Sequence, residues 1–559
     1  MKKTFIFLFI LLQFFNLTIS AQLKYTNPIL EGFYPDPSIC RVGNDYYLIN
    51  STFAYFPGLP IFHSTDLVNW QQIGHALDRP EQLDLSNTGV SEGLFAPTIR
   101  YNNGTFYIIC THINKGGNFL IKATNPSGPW SNPVWLHEIN GIDPSLFFDD
   151  DGKVFITYNS IPPENISQYQ GHRSIRLVEL DINTLKVKGG NEIIVNGGVD
   201  ISKKPVWIEG PHLFKKDGFY YLISAEGGTG GNHSEVVFRS NSVKGPYIPF
   251  DNNPILTQKD LERKRPNPIT CTGHCDFVET PNGKWYSVFL GCRPYLNDYC
   301  NTGRETFLAP VEWNNGWPSI IPHSQTVSYQ YEVPFPNVTK NIKENIYSRN
   351  IVFNDSFNTE KLNYRYTFLR TPTKNLYKID TIHKQLILPL KSNTAKERHN
   401  PAFIGFRQSN LKGGASTSLN FTPKNENEKA GLLIFQNEEH FYVICKSIRD
   451  NKQVVELYKS TKKDSSKNEL ITYANLKDEN KPLQLKVEVN NEAYSFYYAE
   501  KNEKYSLLKT LDAKFLSTNV AGGFVGCMYA MYATSNGSES SNIARYNWFR
   551  YQGNDDIFH

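Results

Sequence analysis

The stretch EGPHLFKKDGFYYLI at residues 209–223 places a polar turn, KKDG, between two segments rich in apolar and aromatic side chains. This pattern predicts a strand, a tight turn and a second strand. Its second half recurs as NDYYLI at 44–49, GTFYII at 104–109, GKVFIT at 152–157 and GKWYSV at 283–288. Successive copies lie 48 to 66 residues apart. Strand repeats of this length predict an all-β fold, a five-bladed β-propeller with about four strands in each blade.

The strand before each turn starts at a matched position, and in a propeller this first strand lines the central channel. The residues predicted to form a ring there are Asp36, Ala96, Asp143, Glu209 and His274. An acidic residue followed by Gly and Pro is also ordinary turn sequence. Three carboxylates crowded together, however, repel one another and shift each other's pKa values, which serves acid–base chemistry rather than stability. The ring therefore predicts a catalytic site.

Cleavage of a glycosidic bond is the chemistry that this ring fits best. One carboxyl group can act as the acid and a second as base or nucleophile, while a third holds the pKa of the acid up. Aromatic loops such as STFAYFPG at 51–58 offer flat apolar faces to a sugar ring. The sequence contains no nucleotide-binding fingerprint, no G-x-S-x-G elbow and no H-E-x-x-H motif.

Longer motifs in the first 320 residues resemble glycoside hydrolase family 43, in its β-xylosidase-like and α-L-arabinofuranosidase group with a C-terminal β-sandwich. They include NPILEGFYPDPSIC, NSTFAYFPGLPIFHSTDLVNWQQIGHAL, IDPSLFFDDDGKVF, WIEGPHLFKKDGFYYLISAEGGTG and NTGRETFLAPVEWNNGWP. The resemblance implies a five-bladed propeller and inversion of anomeric configuration. It implies that Asp36 is the general base, that Glu209 is the general acid, and that Asp143 tunes and orients the acid.

The same resemblance assigns further side chains to the substrate pocket: Phe53, Phe95, Thr229, His274, Arg304 and Phe524. Phe95 is a departure, because many β-xylosidases of this group have Trp at that position. No cofactor is required. Some family members hold a calcium ion near the histidine that matches His274, so a calcium ion there is an option that the resemblance leaves open.

The chain of 559 residues is long enough for two domains. Residues 22–325 are predicted to form the catalytic propeller, and the polar segment 326–349, with two prolines, a linker. From residue 350 to 559, short alternating segments with Lys- and Asn-rich turns predict a β-sandwich of the jelly-roll, concanavalin-like kind. The resemblance favours packing of this domain against the propeller over a free carbohydrate-binding module.

The first 21 residues read as a signal peptide. Lys2 and Lys3 precede a short apolar run, and Ser20–Ala21 offers small residues for cleavage. The run is too short to span a bilayer comfortably. We therefore expect an exported protein, periplasmic or secreted, with cleavage near Ala21.

Two groups of cysteines are considered as a disulfide bridge and as a metal site. Cys292 and Cys300 could bridge a loop in an oxidising compartment. The segment CTGHC at 271–275 offers too few ligands for a tetrahedral zinc site.

A formal net charge of +4 without a Lys/Arg cluster argues against nucleic acid or an anionic membrane as partner. The expected partner is an oligosaccharide, from which an exo-acting β-D-xylosidase removes terminal pentose units. An α-L-arabinofuranosidase on the same scaffold is the alternative. A non-catalytic sugar-binding propeller and an endo-acting arabinanase or xylanase are further alternatives. The sequence leaves the oligomeric state open.

Overall fold

A computed structural model describes residues 23–339, 346–462, 468–478, 481–500 and 503–559. The predicted signal peptide lies outside the described residues. None of the helices in the described ranges is long and apolar enough to cross a membrane. The architecture is all-β, with a five-bladed propeller followed by a two-sheet sandwich.

Each of the first three blades is an antiparallel sheet of four strands in sequence order, with the first strand innermost. Blade 1 comprises Ser38–Val42, Asp45–Ile49, Gly58–Ser64 and Gln71–Leu77. Blade 2 comprises Gly93–Asn102, Thr105–Ile113, Gly117–Ala123 and Val134–Trp135. Blade 3 comprises Ile142–Phe148, Val154–Ser160, Ser174–Asp181 and Lys186–Asn196.

The last two blades follow the same order and bring the chain back to its start. Blade 4 comprises Glu209–Lys216, Phe219–Glu226, Ser234–Ser240 and Ile248–Pro249, with Leu256–Thr257 also paired to its third strand. Blade 5 comprises Thr270–Glu279, Trp285–Cys292, Glu305–Asn314 and Trp317–Ser319. The ring is closed by a bridge between Leu30 and Thr306 and by pairing of Lys24–Thr26 with Gln330–Glu332.

The C-terminal domain has two antiparallel sheets that face each other across an apolar core. One sheet runs in the order Lys378–Asp380, Gln385–Pro389, Ile543–Gly553, Lys412–Asn420, Leu483–Asn490, Ala493–Glu500 and Ser506–Asp512, with Val352–Asp355 also paired to Ile543–Gly553. The other runs Glu469–Asn475, Lys452–Lys459, His440–Arg449, Lys429–Asn437, Met528–Thr534, Ala402–Arg407, Tyr366–Leu369 and Tyr55–Phe56. The short helices of the described chain are Pro163–Asn165, Ile201–Lys203, Pro336–Thr339, Ala513–Leu516, Thr518–Ala521 and Asp556–Phe558.

The two domains share one structure rather than hanging from a tether. The last strand of the second sandwich sheet, Tyr55–Phe56, comes from the propeller and pairs with Phe368 and Leu369. One cluster of buried apolar side chains continues from blades 1 and 2 into the sandwich. Within the predicted linker, Tyr347 and Ser348 are buried. Packing of this extent holds the sandwich in a defined position beside the propeller.

Candidate active site

The backbone turns sharply where each inner strand meets the central channel. At this point one residue of every blade has a φ between 22° and 55°. These residues are Asp36, Ala96, Asp143, Gly210 and His274. In blades 2 to 5 the ladder register also shifts there, as in a β-bulge, and bulges re-aim a side chain beside many active sites. A left-handed φ is costly for a non-glycine residue, and outside turns such residues cluster at active sites.

Gly210, rather than Glu209, occupies the matched position in blade 4. The prediction that Glu209 is in register with Asp36 and Asp143 is wrong by one residue. The reason is steric: position 210 has φ +55°, and a Cβ there would lie 2.9 Å from the imidazole ring of His274. Glycine therefore occupies the left-handed position 210, and Glu209, which carries the carboxylate, is the residue before it.

All the predicted site residues line one cavity of about 500 Å³ at the head of the channel. They are Asp36, Phe53, Phe95, Asp143, Thr229, Glu209, His274, Arg304 and Phe524. Ala96, the ring member without a functional group, lines the same cavity. The one-residue offset of Glu209 therefore does not remove it from the site.

Asp36 is buried and held by donors on both carboxylate oxygens. Arg304 Nη1 donates to Oδ1 at 2.9 Å, and Ser51 Oγ donates to Oδ2 at 2.7 Å. His274 Nδ1 lies 3.8 Å from Oδ1. Burial by itself would raise the pKa of Asp36, but the charge of Arg304, the neighbouring imidazole and the Ser51 hydroxyl together lower it below its ordinary value. This carboxyl group is ionised at neutral pH.

Glu209 is in the opposite electrostatic situation. Burial raises its pKa well above the ordinary value, and the negative charges of Asp143 and Asp36 raise it further, against weaker opposition from Arg304 and Arg173. Its Oε1 is buried and has no hydrogen-bond partner in the described structure. A buried carboxyl group on which burial and negative neighbours outweigh the nearby cations keeps its proton.

Asp143 stands beside Glu209 and is oriented through the backbone. Its Oδ2 accepts a hydrogen bond from the Gly210 amide at 3.1 Å. Burial raises the pKa of Asp143, and the charge of Asp36 adds to this, while His274 and the Gly210 amide act in the opposite direction. The bond to Gly210 ties Asp143 to the residue that directly follows Glu209.

Three phenylalanines form an aromatic wall on one side of the cavity. Phe53 stacks on Phe524 with ring centroids 5.9 Å apart and makes an edge contact with Phe95 at 5.0 Å. The Arg304 guanidinium lies 5.6 Å from the Phe524 ring centroid and 5.9 Å from that of Phe53. The wall thus joins both domains, because Phe524 belongs to the sandwich.

The loop that carries Phe524 can approach the propeller because it is rich in glycine. A Cβ on Gly526 would lie 2.3 Å from the Thr302 carbonyl oxygen, so only glycine fits beside the segment that leads to Arg304. The Phe524 amide donates to Ser91 Oγ at 3.0 Å. Phe524 remains 38% exposed and forms part of the rim of the cavity.

Two further residues that line the cavity, Arg173 and Trp207, were not predicted from the sequence. The Arg173 guanidinium stacks 4.1 Å above the Trp207 ring, and both residues line the cavity. Trp207 stands two residues before Glu209, so its position beside the acid was a usable signal. Arg173 comes from a different blade and had no such signal.

A second ring of polar side chains lies one layer deeper in the channel. This ring was not predicted from the sequence. Its members each stand two residues after a position of the first ring, on the same strand face: Ser38, Thr98, Ser145, His212 and Asp276. Arg100 donates to both Asp276 oxygens at 2.7 and 3.1 Å and to His212 Nδ1 at 3.1 Å. Burial lowers the pKa of His212 to about 3, so it is neutral.

The option of a calcium ion near His274 stays a prediction. Calcium takes six to eight oxygen ligands, whereas His274 offers nitrogen. Among the residues that the structure describes, no three His, Cys, Asp or Glu side chains are grouped so that they could hold a metal ion. The reaction assigned to this site uses no metal cation.

Comparison with protein families decides where this site belongs. The model for glycosyl hydrolases family 43 matches residues 25–318, and the model for the beta xylosidase C-terminal concanavalin A-like domain matches residues 354–552. The chain belongs to glycosyl hydrolase family 43. The resemblance drawn from the sequence and the predicted fold are thereby confirmed. The matched ranges fall within the predicted domains, while the exact boundaries at 325 and 350 stay predictions.

Individual family 43 relatives match over nearly the whole chain. A "Xylosidase/arabinosidase" of Butyrivibrio fibrisolvens is 39% identical, with 94% of this chain and 98% of the relative covered. The "Non-reducing end alpha-L-arabinofuranosidase BoGH43B" of Bacteroides ovatus is 36% identical, with 99% of each covered. The solved structure "Bacteroides ovatus Xyloglucan PUL GH43B" superposes with a TM-score of 0.84 at 36% identity, covering 95% of this chain and all of that one. The protein is a family 43 glycoside hydrolase.

Proposed function

We propose that this enzyme removes single pentose units from the non-reducing ends of oligosaccharides, with inversion of configuration. The observation that carries the proposal is the contrast between two carboxyl groups that line one cavity. The pKa of Asp36 is lowered and that of Glu209 is raised well above its ordinary value. An inverting glycosidase needs one ionised and one protonated carboxyl group at the same pH.

The reaction assigned to these groups is a single displacement. Asp36 accepts a proton from a water molecule as the water oxygen attacks the anomeric carbon. Glu209 gives its proton to the glycosidic oxygen as that bond breaks. The net result is hydrolysis, with the proton now on Asp36 and the negative charge on Glu209, and solvent exchange restores both. A gap of about 6.5–9.5 Å between the two carboxyl groups, the inverting range, is expected.

Asp143 keeps the acid protonated before the bond breaks. Its charge adds to the effect of burial on Glu209, and its hydrogen bond to the Gly210 amide fixes where that charge lies. Arg304 does the converse for the base, because its guanidinium stabilises the Asp36 carboxylate. Each of the two catalytic groups therefore has a partner that maintains its protonation state.

An exo mode of action is favoured by the wall that the sandwich adds to the cavity. Phe524 reaches over from the second domain to stack on Phe53, which closes one side of what would otherwise be a cleft. The cavity of about 500 Å³ has the size of a small-molecule pocket rather than of a long groove. An endo-acting enzyme needs a groove open at both ends.

β-D-Xylosidase activity is the leading assignment and α-L-arabinofuranosidase activity the alternative. The relatives' names include both, "Beta-xylosidase" for a Bacillus subtilis protein at 31% identity and the Bacteroides ovatus arabinofuranosidase at 36%. Phe95, where many β-xylosidases have Trp, lies in the aromatic wall and contacts Phe53. This position is therefore the first to examine for the choice between the two pentoses.

The test compares aryl β-D-xyloside with aryl α-L-arabinofuranoside, with the anomer of the released sugar followed by NMR in the first minutes of reaction. A higher kcat/KM on the xyloside supports the leading assignment, and the reverse order supports the alternative. Release of the retained anomer, or fragments longer than one sugar from a natural oligosaccharide, would overturn the proposed mechanism or the exo mode.

Export is part of the proposal and rests on the N-terminal sequence. The segment MKKTFIFLFILLQFFNLTISAQ combines basic residues, an apolar run and small residues. N-terminal sequencing of the protein expressed with this segment should find a start near Gln22. An intact Met1 in the mature protein would contradict export through this signal.

A further inference from the structure

Three cysteine thiols meet in a second cavity that adjoins the active site. The cavity measures about 360 Å³, and its walls include Cys271, Cys292 and Cys300. It also shares Arg304 and Phe524 with the substrate cavity. All eight cysteines of the chain are free thiols in the structure, so the bridge considered between Cys292 and Cys300 is not formed.

Local backbone geometry brings the first two thiols together. Cys292 is the last residue of its strand and stands opposite Thr270 in the ladder. Cys271 follows Thr270 inside a β-bulge and has φ +58°. The Cys292 thiol lies near those of both Cys271 and Cys300. Cys292 is therefore the shared neighbour of the other two.

The thiols differ in exposure and in acidity. Cys271 is partly exposed, whereas Cys292 and Cys300 are buried. The nearby Cys292 thiol is the largest influence on both Cys271 and Cys300 and lowers the pKa of each, while the pKa of Cys292 is raised by these two partners. A partly exposed thiol of lowered pKa beside a second cysteine is typical of a redox-sensitive pair.

We propose that Cys271 and Cys292 form a thiol–disulfide exchange site for small disulfides, and that its oxidation lowers glycosidase activity. Cys271 is the attacking thiol because it is the least buried of the three, and Cys292 is the resolving thiol because it stands opposite Thr270, the residue next to Cys271, in the ladder. A metal site is not favoured, since no group of three metal-binding side chains is found among the described residues.

The exchange balances with a small disulfide such as oxidised glutathione as the oxidant. The Cys271 thiolate attacks one sulfur of glutathione disulfide, forming a mixed disulfide and releasing one glutathione thiolate. Cys292 then attacks the Cys271 sulfur, loses its proton to solvent and displaces the second glutathione thiolate. Two protein thiols are oxidised to one disulfide, and one glutathione disulfide is reduced to two thiols.

Oxidation would act on the active site through groups that both cavities share. A disulfide draws its two sulfurs to about 2.05 Å, well inside hydrogen-bond distance. The Cys271 carbonyl accepts a hydrogen bond from His233 Nδ1 at 2.9 Å, and His274 follows on the same bulged strand. Moving this strand shifts the ring position held by His274. A displacement of about 1 Å near reacting groups can cost up to roughly a hundredfold in rate.

The experiment incubates the folded, full-length protein with oxidised glutathione and then maps its disulfides by mass spectrometry. We expect a Cys271–Cys292 disulfide, a fall in kcat/KM of roughly tenfold to a hundredfold, and recovery with dithiothreitol. In Cys292→Ser the reaction should stop at a Cys271–glutathione adduct. Cys300→Ser should behave as the wild type does.

Two controls keep the outcome interpretable. Cys445→Ala removes a buried thiol of the sandwich and should leave oxidation and activity unchanged. The wild-type map requires no substitution, so it decides the chemistry even where a variant fails to fold. Absence of the Cys271–Cys292 disulfide in folded wild type, or a Cys292–Cys300 disulfide in its place, would overturn the exchange site. A fully formed disulfide with kcat/KM within about twofold of the reduced enzyme would overturn its effect on activity.

Discussion

Replacing Gly210 with alanine perturbs the acid Glu209 without touching any carboxyl group. The backbone at position 210 has φ +55°, and an added Cβ would lie 2.9 Å from the His274 ring. The Gly210 amide also donates to Asp143. The added methyl group would therefore push against His274. It would also displace the amide that donates to Asp143, the residue that raises the pKa of Glu209.

The size of the effect follows from these distances. Ordinary van der Waals contact begins near 3.4 Å, so strand or ring must move by about 0.5 Å. A left-handed alanine costs roughly 1–2 kcal/mol, and overpacking typically adds about 1–3 kcal/mol. Misplacement by about 1 Å can cost a hundredfold in rate, so half of that displacement predicts a loss in kcat/KM of roughly tenfold.

The assay measures chemical unfolding and kcat/KM on an aryl glycoside, with Gly152→Ala as the matched control. Gly152 has φ +85° at an open hairpin turn, and a Cβ there would meet nothing within 4 Å. The control therefore carries the backbone strain without the clash. The difference between the two variants isolates the contact with His274.

Two results would refute this reasoning. If Gly210→Ala keeps kcat/KM within about twofold of the wild type while folded, the turn at position 210 does not position the acid. If Gly152→Ala loses as much activity as Gly210→Ala, backbone strain rather than the contact with His274 is responsible.

The remaining predictions concern the roles of the charged groups. In Glu209→Ala, kcat/KM should fall roughly 10²–10⁴-fold on natural oligosaccharides but much less on activated aryl glycosides, whose leaving groups need no proton. In Asp36→Ala, kcat/KM should fall on both kinds of substrate. The opposite pattern would reverse the two roles. Activity requires ionised Asp36 and protonated Glu209, so kcat/KM should rise with pH through the lower apparent pKa and fall through the higher. Asp143→Asn removes a charge that raises the pKa of Glu209, so the alkaline limb of that profile should move to lower pH; an unmoved limb would contradict the tuning role. Arg304→Met removes the cation that lowers the pKa of Asp36, so the acidic limb should move to higher pH, and an unmoved acidic limb would contradict the pairing.

Local patterns in the chain were sufficient to predict the propeller and its carboxylates. A strand–turn–strand repeat is encoded within about fifteen residues, as in 209–223, because side-chain alternation and turn chemistry act over short distances. Counting five such repeats implies that their inner strands converge. Asp36 and Asp143 could therefore be placed together although 107 residues separate them.

Several features of the site depended on how blades and domains pack. The one-residue offset at Glu209 arises because His274, from another blade, leaves no room for a side chain at position 210. The resemblance to relatives pointed to Phe524, but only the packed sandwich shows it stacking on Phe53.

The contacts within the deeper polar ring and within the thiol cluster could not be predicted from local sequence. Arg100 and Asp276 are 176 residues apart and meet only when the propeller closes. Cys271 and Cys292 become neighbours because two adjacent strands pair with a bulge between them. The sequence by itself determined which residue types stand at the head of each strand, since that depends on local periodicity. Tertiary structure alone decided which of them touch, because contact across blades depends on bulges, glycine turns and closure of the ring.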